Sequence, residues 1–229
     1  MPSALAKLLH PTPALVFMDC DGVIYDVNAL KCDAFVYALE GAPKDRVDAL
    51  IDWHKATGGV SRYVKVRRFY SEIYPVDDIE GHIARALERF GAYSDAGYRQ
   101  LAPRPEALEF ARRLGGPECV YVVSGSAESE LRAVFDDAGI GDRFAEVCGS
   151  PVTKREHVGR ILAETGVPPE RALFIGDGWG DWDVATYHGV LFLYLAEMSE
   201  WADGRRFTRD TAAAATAERW EDVLAALPP

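Results

Sequence analysis

The chain has 229 residues, of which 48% are hydrophobic and 27% charged, and its formal net charge at pH 7 is −11. This length predicts one large domain that carries an insertion, because a typical domain contains about 100–150 residues. The negative charge argues against nucleic acid or an anionic membrane as a partner, since both are bound by clustered lysines and arginines.

No apolar run approaches the roughly 20 residues that a membrane-spanning helix needs. The start of the chain also lacks the continuous apolar stretch and cleavage site of a secretory signal. We therefore expect a cytoplasmic protein. The four cysteines are widely and irregularly spaced, which predicts neither a zinc site nor a disulfide framework.

The predicted elements begin with a short apolar run at residues 14–18 that ends in acids and a glycine. This pattern is typical of a buried parallel strand whose carboxyl end opens into a loop. The next stretch, residues 25–102, contains several helical patterns in succession and no convincing strand, which predicts an all-helical insertion. Within it, residues 61–74 predict a helix with Ser61 as N-cap and Lys65 on a different face from the apolar stripe.

Beyond the insertion, strand patterns alternate with helical patterns. Strands are predicted at residues 119–123, 172–175 and 190–195, and helices at residues 105–114, 127–138 and 156–165. An alanine run at residues 212–215 predicts helix or loop. The alternation indicates βαβ units, and hence an α/β fold with a Rossmann-like parallel-sheet core. We assign residues 1–24 and 103–229 to this core and residues 25–102 to an all-helical cap inserted after the first strand.

Polar clusters follow the ends of these strands, where a parallel sheet places its ligand site. The first cluster contains Asp19 and Asp21. The Asp19 carboxylate can attack phosphorus and form an aspartyl-phosphate, which splits one difficult hydrolysis into two easier steps. Asp21 can protonate the leaving oxygen and later deprotonate the attacking water. An ordinary acidic turn is the alternative, because Asp-Gly is a frequent turn dipeptide.

Two further clusters are suited to a phosphate group. Ser124 offers a hydroxyl, and Gly125 and Ser126 offer backbone N–H groups at a predicted helix start. Lys154 lies between a short strand-like stretch and a helix, where it can neutralise charge on the nucleophile and on the phosphoryl group. The alternatives are a serine that only caps the next helix and a lysine that is only solvated.

The last cluster places Asp177 and Asp181 at the end of a predicted strand. Acids in this position suit Mg²⁺, a hard ion that binds few carboxylates and keeps waters and substrate oxygens as its other ligands. Asp177 is the better direct ligand, and Asp181 is better suited to act through a water. The sequence therefore predicts Mg²⁺ as a cofactor, with a simple Asp-capped turn as the alternative.

These clusters fall at the ends of successive predicted strands in one chain order. They resemble the four motifs of the haloacid dehalogenase-like hydrolase superfamily: Asp19-x-Asp21, Ser124, Lys154 and Asp177-x-x-x-Asp181. The resemblance covers nearly the whole chain and is greatest to the phosphatase branch with a helical cap, such as the phosphoglycolate phosphatases and β-phosphoglucomutases. It implies that Mg²⁺ is held by the side chains of Asp19 and Asp177 and by the backbone carbonyl of Asp21.

Individual residues narrow the reactions that this resemblance allows. Dehalogenases of the superfamily lack the second acid that Asp21 provides, so the resemblance implies a phosphatase. A sugar phosphomutase of the β-phosphoglucomutase type is the main alternative, because residues 59–62 resemble a cap stretch of those enzymes. Those mutases, however, have Glu-Asp-Ser in the fourth motif, where this chain has Gly176-Asp177. A non-catalytic phospho-accepting or phosphate-binding domain is a more distant alternative.

Arg62 and Lys65 are the predicted substrate-binding cations of the cap. A solvated helix surface is the alternative for both. If they reach the site, they join Lys154 and the metal in making it locally positive within an acidic chain. The expected substrate is small and phosphorylated, and similarity to hydrolases of sugar and surface-polysaccharide biosynthesis favours a sugar or polyol phosphate.

Overall fold

The computed structural model describes residues 4–209 and 211–228. Within them, six parallel strands form one sheet: β1 Leu15–Met18, β2 Val120–Ala127, β3 Glu146–Ser150, β4 Ala172–Gly176, β5 Leu191–Leu195 and β6 Ala214–Ala217. Their order across the sheet is β3-β2-β1-β4-β5-β6. The direction of winding therefore reverses between β1 and β4, and sheets of this kind bind ligands beyond the carboxyl ends of the strands at such a reversal.

Helices connect the strands and form the insertion. They are α1 Ala4–Leu8, α2 Asn28–Ala38, α3 Lys44–Ala56, α4 Arg62–Arg68, α5 Ile79–Tyr98, α6 Pro105–Arg113, α7 Glu128–Asp137, α8 Lys154–Thr165, α9 Trp179–His188, α10 Gly204–Arg209 and α11 Trp220–Ala226. A π-helical turn, Phe69–Ile73, continues α4. The predicted α/β fold with a helical insertion after the first strand is thus confirmed. In the described part of the chain, no helix is both long and apolar enough to cross a membrane.

Strand β1 lies at the centre of the sheet and is buried on both faces. It pairs with β2 on one side and with β4 on the other. Because side chains alternate along a strand, Val16 and Met18 join the apolar cluster that includes α6, α7 and α11. Leu15 and Phe17 join the opposite cluster, which includes α8 and α9. A nearly continuous apolar run was therefore the correct sign of a parallel strand.

The insertion has an apolar cluster of its own. Its buried members come from α2, α3, α4, the π-helical turn and α5, and they include Phe35, Leu50, Phe69 and Phe90. The helices thus pack around their own core rather than lying on the sheet as separate elements. The exact limits of the cap, at residues 25 and 102, stay a prediction.

The cap meets the core through glycine backbone. The loop between α3 and α4 carries Gly58 and Gly59, and the N–H of Gly180 donates to the carbonyl of Gly58 at 2.8 Å. A Cβ on Gly178 or Gly180 would lie 2.8 Å from the Gly58 oxygen, and a Cβ on Gly125 would lie 2.5 Å from the Gly59 oxygen. Only glycine permits so close an approach of two backbones.

One local prediction was wrong, and a second was confirmed in position only. Residues 214–217 form β6 instead of helix or loop, since pairing with β5 overrides the low strand preference of alanine. Ser61 does precede helix α4, but its side chain makes no capping hydrogen bond in the structure.

Trp220 should be one of the main contributors to core stability. Its side chain is 0% exposed, its Nε1 donates to the Val23 carbonyl at 2.9 Å, and its ring lies 5.5 Å from that of Phe110. Replacing it in Trp220→Ala removes this packing and leaves a cavity, so the free energy of unfolding in urea should fall by about 3–5 kcal/mol. Tyr187→Ala, at a side chain that is 64% exposed, should change it by less than about 0.5 kcal/mol. Similar losses in both variants would contradict this view of the core.

Candidate active site

The polar clusters converge at the carboxyl ends of the central strands. Asp19 directly follows β1, and its N–H donates to the carbonyl of Ile175 in β4 at 2.9 Å, which anchors the start of the loop. Asp177 directly follows β4, and Lys154 is the first residue of α8. Neighbouring parallel strands thus bring residues that are far apart in sequence to one edge of the sheet.

Three buried carboxylates form the floor of the site. One oxygen each from Asp19, Asp177 and Asp181 lies within 4.8 Å of the other two. Burial raises the pKa of Asp19 to about 8, and the charges of Asp181 and Asp21 add to the rise. Burial and the charges of Asp19 and Asp181 raise the pKa of Asp177 well above its usual value. The negative charge of these three carboxylates is not balanced within the set, and their oxygens fit a hard divalent cation such as Mg²⁺.

Lys154 compensates part of this negative charge. Its Nζ lies 2.9 Å from Oδ1 of Asp19 and 2.6 Å from Oδ1 of Asp181. Burial opposes the charged amine, but the two carboxylates outweigh it and raise the pKa of Lys154. The other oxygen of Asp181 accepts from the N–H of Gly178 at 3.1 Å. Both oxygens of Asp181 therefore already accept a hydrogen bond. This favours a role for Asp181 in orienting Lys154, or in contacting a metal through a water, over direct binding of the metal.

Asp21 is held by three donors. The hydroxyl of Tyr98 donates to its Oδ1, and the hydroxyl of Ser126 donates to its Oδ2 at 2.8 Å. The Nζ of Lys31 lies 3.5 Å from Oδ2. Burial raises the pKa of Asp21, but Lys31, Tyr98 and Ser126 together outweigh it and lower that pKa. In this arrangement Asp21 is a carboxylate that can accept a proton.

The serine and glycine cluster lies beside Asp21. Ser124 is buried, and its Oγ accepts from the N–H of Ser126 at 3.1 Å. Ser126 also receives a hydrogen bond from Lys31 at 2.8 Å. Gly125 packs against the cap loop at Gly59 and lines the cavity together with Ser126.

Arg62 and Lys65 are buried, so the solvated-surface alternative is wrong for both. Arg62 forms an ion pair with Glu130 of α7, and its guanidinium lies 4.7 Å from the centre of the Phe90 ring. Lys65 donates to Nδ1 of His54 at 2.6 Å. Lys65 lines the cavity, whereas Val66 of the predicted apolar stripe packs in the cap core, so the two residues lie on different faces of α4 as predicted.

The predicted site residues occupy one region of the structure. The cavity between core and cap is lined by seven of them: Asp19, Asp21, Arg62, Lys65, Gly125, Ser126 and Asp177. The remaining three, Ser124, Lys154 and Asp181, each contact a lining residue: Ser126, Asp19 and Gly178, respectively. The role of each stays a prediction, but no member of the set lies far from the others.

A protein-family comparison decides the class of this chain. The family model described as haloacid dehalogenase-like hydrolase matches residues 13–189. The chain belongs to this family. The predicted membership is therefore confirmed, and the chain is a haloacid dehalogenase-like hydrolase. A search of curated proteins finds no match.

Solved structures share the fold of this hydrolase over nearly its whole length. A predicted phosphoglycolate phosphatase from Haemophilus somnus is 18% identical with a TM-score of 0.72, and the match covers 93% of this chain and 96% of that one. A hydrolase from Pseudomonas syringae is 17% identical with a TM-score of 0.70, covering 93% and 96%. CbbY from Rhodobacter sphaeroides, in complex with phosphate, is 18% identical with a TM-score of 0.67, covering 94% and 99%. At these identities the similarity establishes the fold alone.

Three site residues of this hydrolase were missed in the sequence. Asn28 donates to Oδ2 of Asp177 at 2.7 Å and also to the Met198 carbonyl at 2.7 Å. Lys31 and Tyr98 hold Asp21, as described above. All three lie in the first turn of α2 or at the end of α5, where the cap leaves and rejoins the core. In the sequence, only their closeness to the ends of the insertion could have indicated that these three residues reach the site.

Asp177→Asn should stabilise the metal-free hydrolase and abolish its response to Mg²⁺. The pKa of Asp177 in the folded state lies above its unfolded value, so its charge destabilises the fold at pH values above that unfolded value, and asparagine removes this cost. By thermal unfolding, we expect Mg²⁺ to raise the Tm of the wild type by several degrees. The variant should start from a higher Tm in EDTA and show no such rise.

Asp203→Asn is the matched control for this experiment. Asp203 is exposed and pairs only loosely with Arg206, at 3.6 Å. This variant should have the wild-type Tm in EDTA and the wild-type response to Mg²⁺. An equal Mg²⁺ response in Asp177→Asn would show that the carboxylate cluster does not bind the ion.

Proposed function

We propose that this hydrolase is a Mg²⁺-dependent phosphatase that cleaves a small phosphate monoester through an aspartyl-phosphate on Asp19. One observation carries the proposal. The Asp19 carboxylate is 2.9 Å from the Lys154 ammonium and shares one cavity with Asp21 and Asp177. A nucleophile, a charge-neutralising lysine, an acid-base carboxylate and a metal ligand thus meet at one place.

In the first step, Asp19 attacks phosphorus and the bond to the leaving oxygen breaks. The Lys154 ammonium orients the attacking carboxylate, and it remains close to the negative charge that collects on the phosphoryl group. Asp19 and Asp177 would hold Mg²⁺ together with the backbone carbonyl of Asp21. When bound, Mg²⁺ neutralises the carboxylates and the phosphoryl oxygens, which lets an anionic nucleophile approach an anionic substrate.

Asp21 moves the protons in both steps. It donates a proton to the leaving oxygen and takes one from the water that hydrolyses the aspartyl-phosphate. The carboxylate form that Lys31, Tyr98 and Ser126 favour is the form required for the second step. A phosphate ester in the cavity adds negative charge beside Asp21, which raises the pKa of that carboxyl and favours the protonated form required for the first step.

The size of the cavity supports a small substrate. Its volume is about 60 Å³. One enclosed water needs about 10–15 Å³ of such volume, so the cavity holds only a few water-sized groups. Among the sugar and polyol phosphates that the sequence favoured, this volume favours those with a small leaving alcohol. The cap loop at Gly58 and Gly59 lines this cavity and packs against the core backbone.

Asp19→Asn should abolish Mg²⁺-dependent release of phosphate from p-nitrophenyl phosphate, because the amide is a poor nucleophile at phosphorus. The loss should exceed about 10³-fold, the scale on which removal of a covalent nucleophile acts. The circular dichroism spectrum and Tm should show that the variant is folded. Asp48→Asn, at an exposed carboxylate paired with Lys44, should keep wild-type activity. Undiminished turnover in Asp19→Asn would sink the mechanism.

Asp21→Asn should separate the two steps. p-Nitrophenolate leaves without needing a proton, whereas the attacking water still needs a base. Rapid mixing should therefore show a burst of about one nitrophenolate per enzyme, followed by steady-state turnover slowed by about 10²–10⁴-fold. Asp26→Asn, at an exposed acid five residues further along the chain, should show normal turnover without such arrest. A wild-type steady-state rate in Asp21→Asn would rule out the base role.

A further inference from the structure

A second group of potential metal ligands lies at the cavity between core and cap. One ligand atom each from Cys32, His54 and Glu200 lies within 4.8 Å of the other two. His54 and Glu200 line the cavity, and all three residues are partly exposed, so an ion in solution can reach them. The proposed phosphatase mechanism uses none of the three.

The donor atoms of this group differ from those of the carboxylate floor. Asp19, Asp177 and Asp181 offer three oxygens, which suit Mg²⁺. The second group offers a sulfur, an imidazole nitrogen and one carboxylate oxygen. Thiolate and imidazole ligands favour Zn²⁺, which often binds three protein side chains in a tetrahedral arrangement with a water as the fourth ligand. The two groups therefore suit different ions.

Cationic side chains already contact two of these ligands. The Lys65 ammonium donates to Nδ1 of His54 at 2.6 Å, and the Lys55 ammonium lies 3.3 Å from Oε1 of Glu200. The Cys32 thiol donates weakly to Oε2 of the same Glu200 at 3.6 Å. A divalent ion would replace the two separate ammonium contacts with one centre that contacts all three side chains, and the thiol would release its proton to water on binding.

The three side chains come from both parts of the chain. Cys32 belongs to α2 and His54 to α3 of the cap, whereas Glu200 lies in the core, between β5 and α10. Cys32 and Glu200 are 168 positions apart, so the spacing of the cysteines in the sequence could not indicate such a site. An ion bound to all three would join cap and core more firmly than the partly exposed Lys55–Glu200 ion pair, because such pairs contribute little.

This link would act on the passage of substrate and product. The cavity has a volume of about 60 Å³ and holds only a few water-sized groups. In enzymes whose site lies between a lid and a core, opening of the lid to release product often limits turnover. An ion that holds the two parts together slows that step.

We propose that Cys32, His54 and Glu200 form a zinc site, separate from the Mg²⁺ site, through which Zn²⁺ fixes the cap on the core and inhibits turnover. Binding of the ion does not depend on the proposed phosphatase function. Its effect on turnover does, so binding and inhibition are tested separately.

Titration with Co²⁺ reports on the ligands directly, because a thiolate bound to Co²⁺ gives a charge-transfer band in the near ultraviolet. The titration uses the Asp177→Asn variant in excess Mg²⁺, so that the carboxylate floor does not compete for the ion. One equivalent of Co²⁺ should produce the band, and Zn²⁺ should remove it by displacing Co²⁺. Absence of the band would overturn the site.

Substitutions in the same background assign the ligands. Cys32→Ser should remove the band and weaken Zn²⁺ binding by more than about 10-fold, since loss of a side chain that only supports a ligand already costs about 10–100-fold in affinity. Glu200→Gln and His54→Ala should keep the band, because the thiolate remains, but should bind Zn²⁺ more weakly. Cys119→Ser, at another partly exposed free cysteine, should behave like its parent. Unchanged Zn²⁺ affinity in Cys32→Ser, or loss of the band in Cys119→Ser, would overturn the assignment.

Steady-state hydrolysis of p-nitrophenyl phosphate at saturating Mg²⁺ tests the inhibition. Zn²⁺ should lower kcat of the wild type, and additional Mg²⁺ should not restore it. Cys32→Ser should keep the wild-type rate without Zn²⁺ and need at least about 10-fold more Zn²⁺ for the same inhibition. Inhibition that Mg²⁺ relieves, that is equal in Cys32→Ser, or that is absent despite binding would overturn the inhibitory role. The cobalt band in a chain that hydrolyses no phosphate ester would support the zinc site and overturn the proposed function.

Discussion

Repulsion among the buried carboxylates of Asp19, Asp177 and Asp181 is the constraint on which the site depends. Three such groups within 4.8 Å of one another are tolerated only with positive charge nearby. The chain supplies one such charge in Lys154, and Asn28 adds a hydrogen bond to Asp177. The remaining negative charge suits a hard, oxygen-binding cation, and the repulsion among the carboxylates lowers the stability of the metal-free fold.

The cap has the opposite charge balance on its inner side. Lys31, Arg62 and Lys65 all approach the cavity from cap helices, although the chain as a whole carries a net charge of −11. The acidic floor and the basic inner side of the cap attract each other. Lys31 couples the two parts most directly, because it extends from α2 to Asp21 and Ser126 of the core.

Sequence reasoning succeeded where function depends on the ends of strands. Asp19, Lys154 and Asp177 stand beside apolar runs or helix starts, so their neighbourhood could be predicted from local pattern and sheet topology. It failed where contacts depend on how cap helices pack. Arg62 and Glu130 are 68 positions apart, and Tyr98 and Asp21 are 77 apart. No local pattern encodes such pairs, and β6 likewise owes its conformation to pairing with β5 rather than to its alanines.

The glycine contact between cap and core bears on how such a protein can diverge. Gly58 and Gly59 meet Gly125, Gly178 and Gly180 with backbone atoms alone. This backbone contact does not depend on which side chains the cap helices carry, whereas the pairs Lys31–Asp21 and Arg62–Glu130 join cap and core through side chains. Substitutions at cap positions outside those pairs can therefore change the cavity wall while the glycine contact stays as it is.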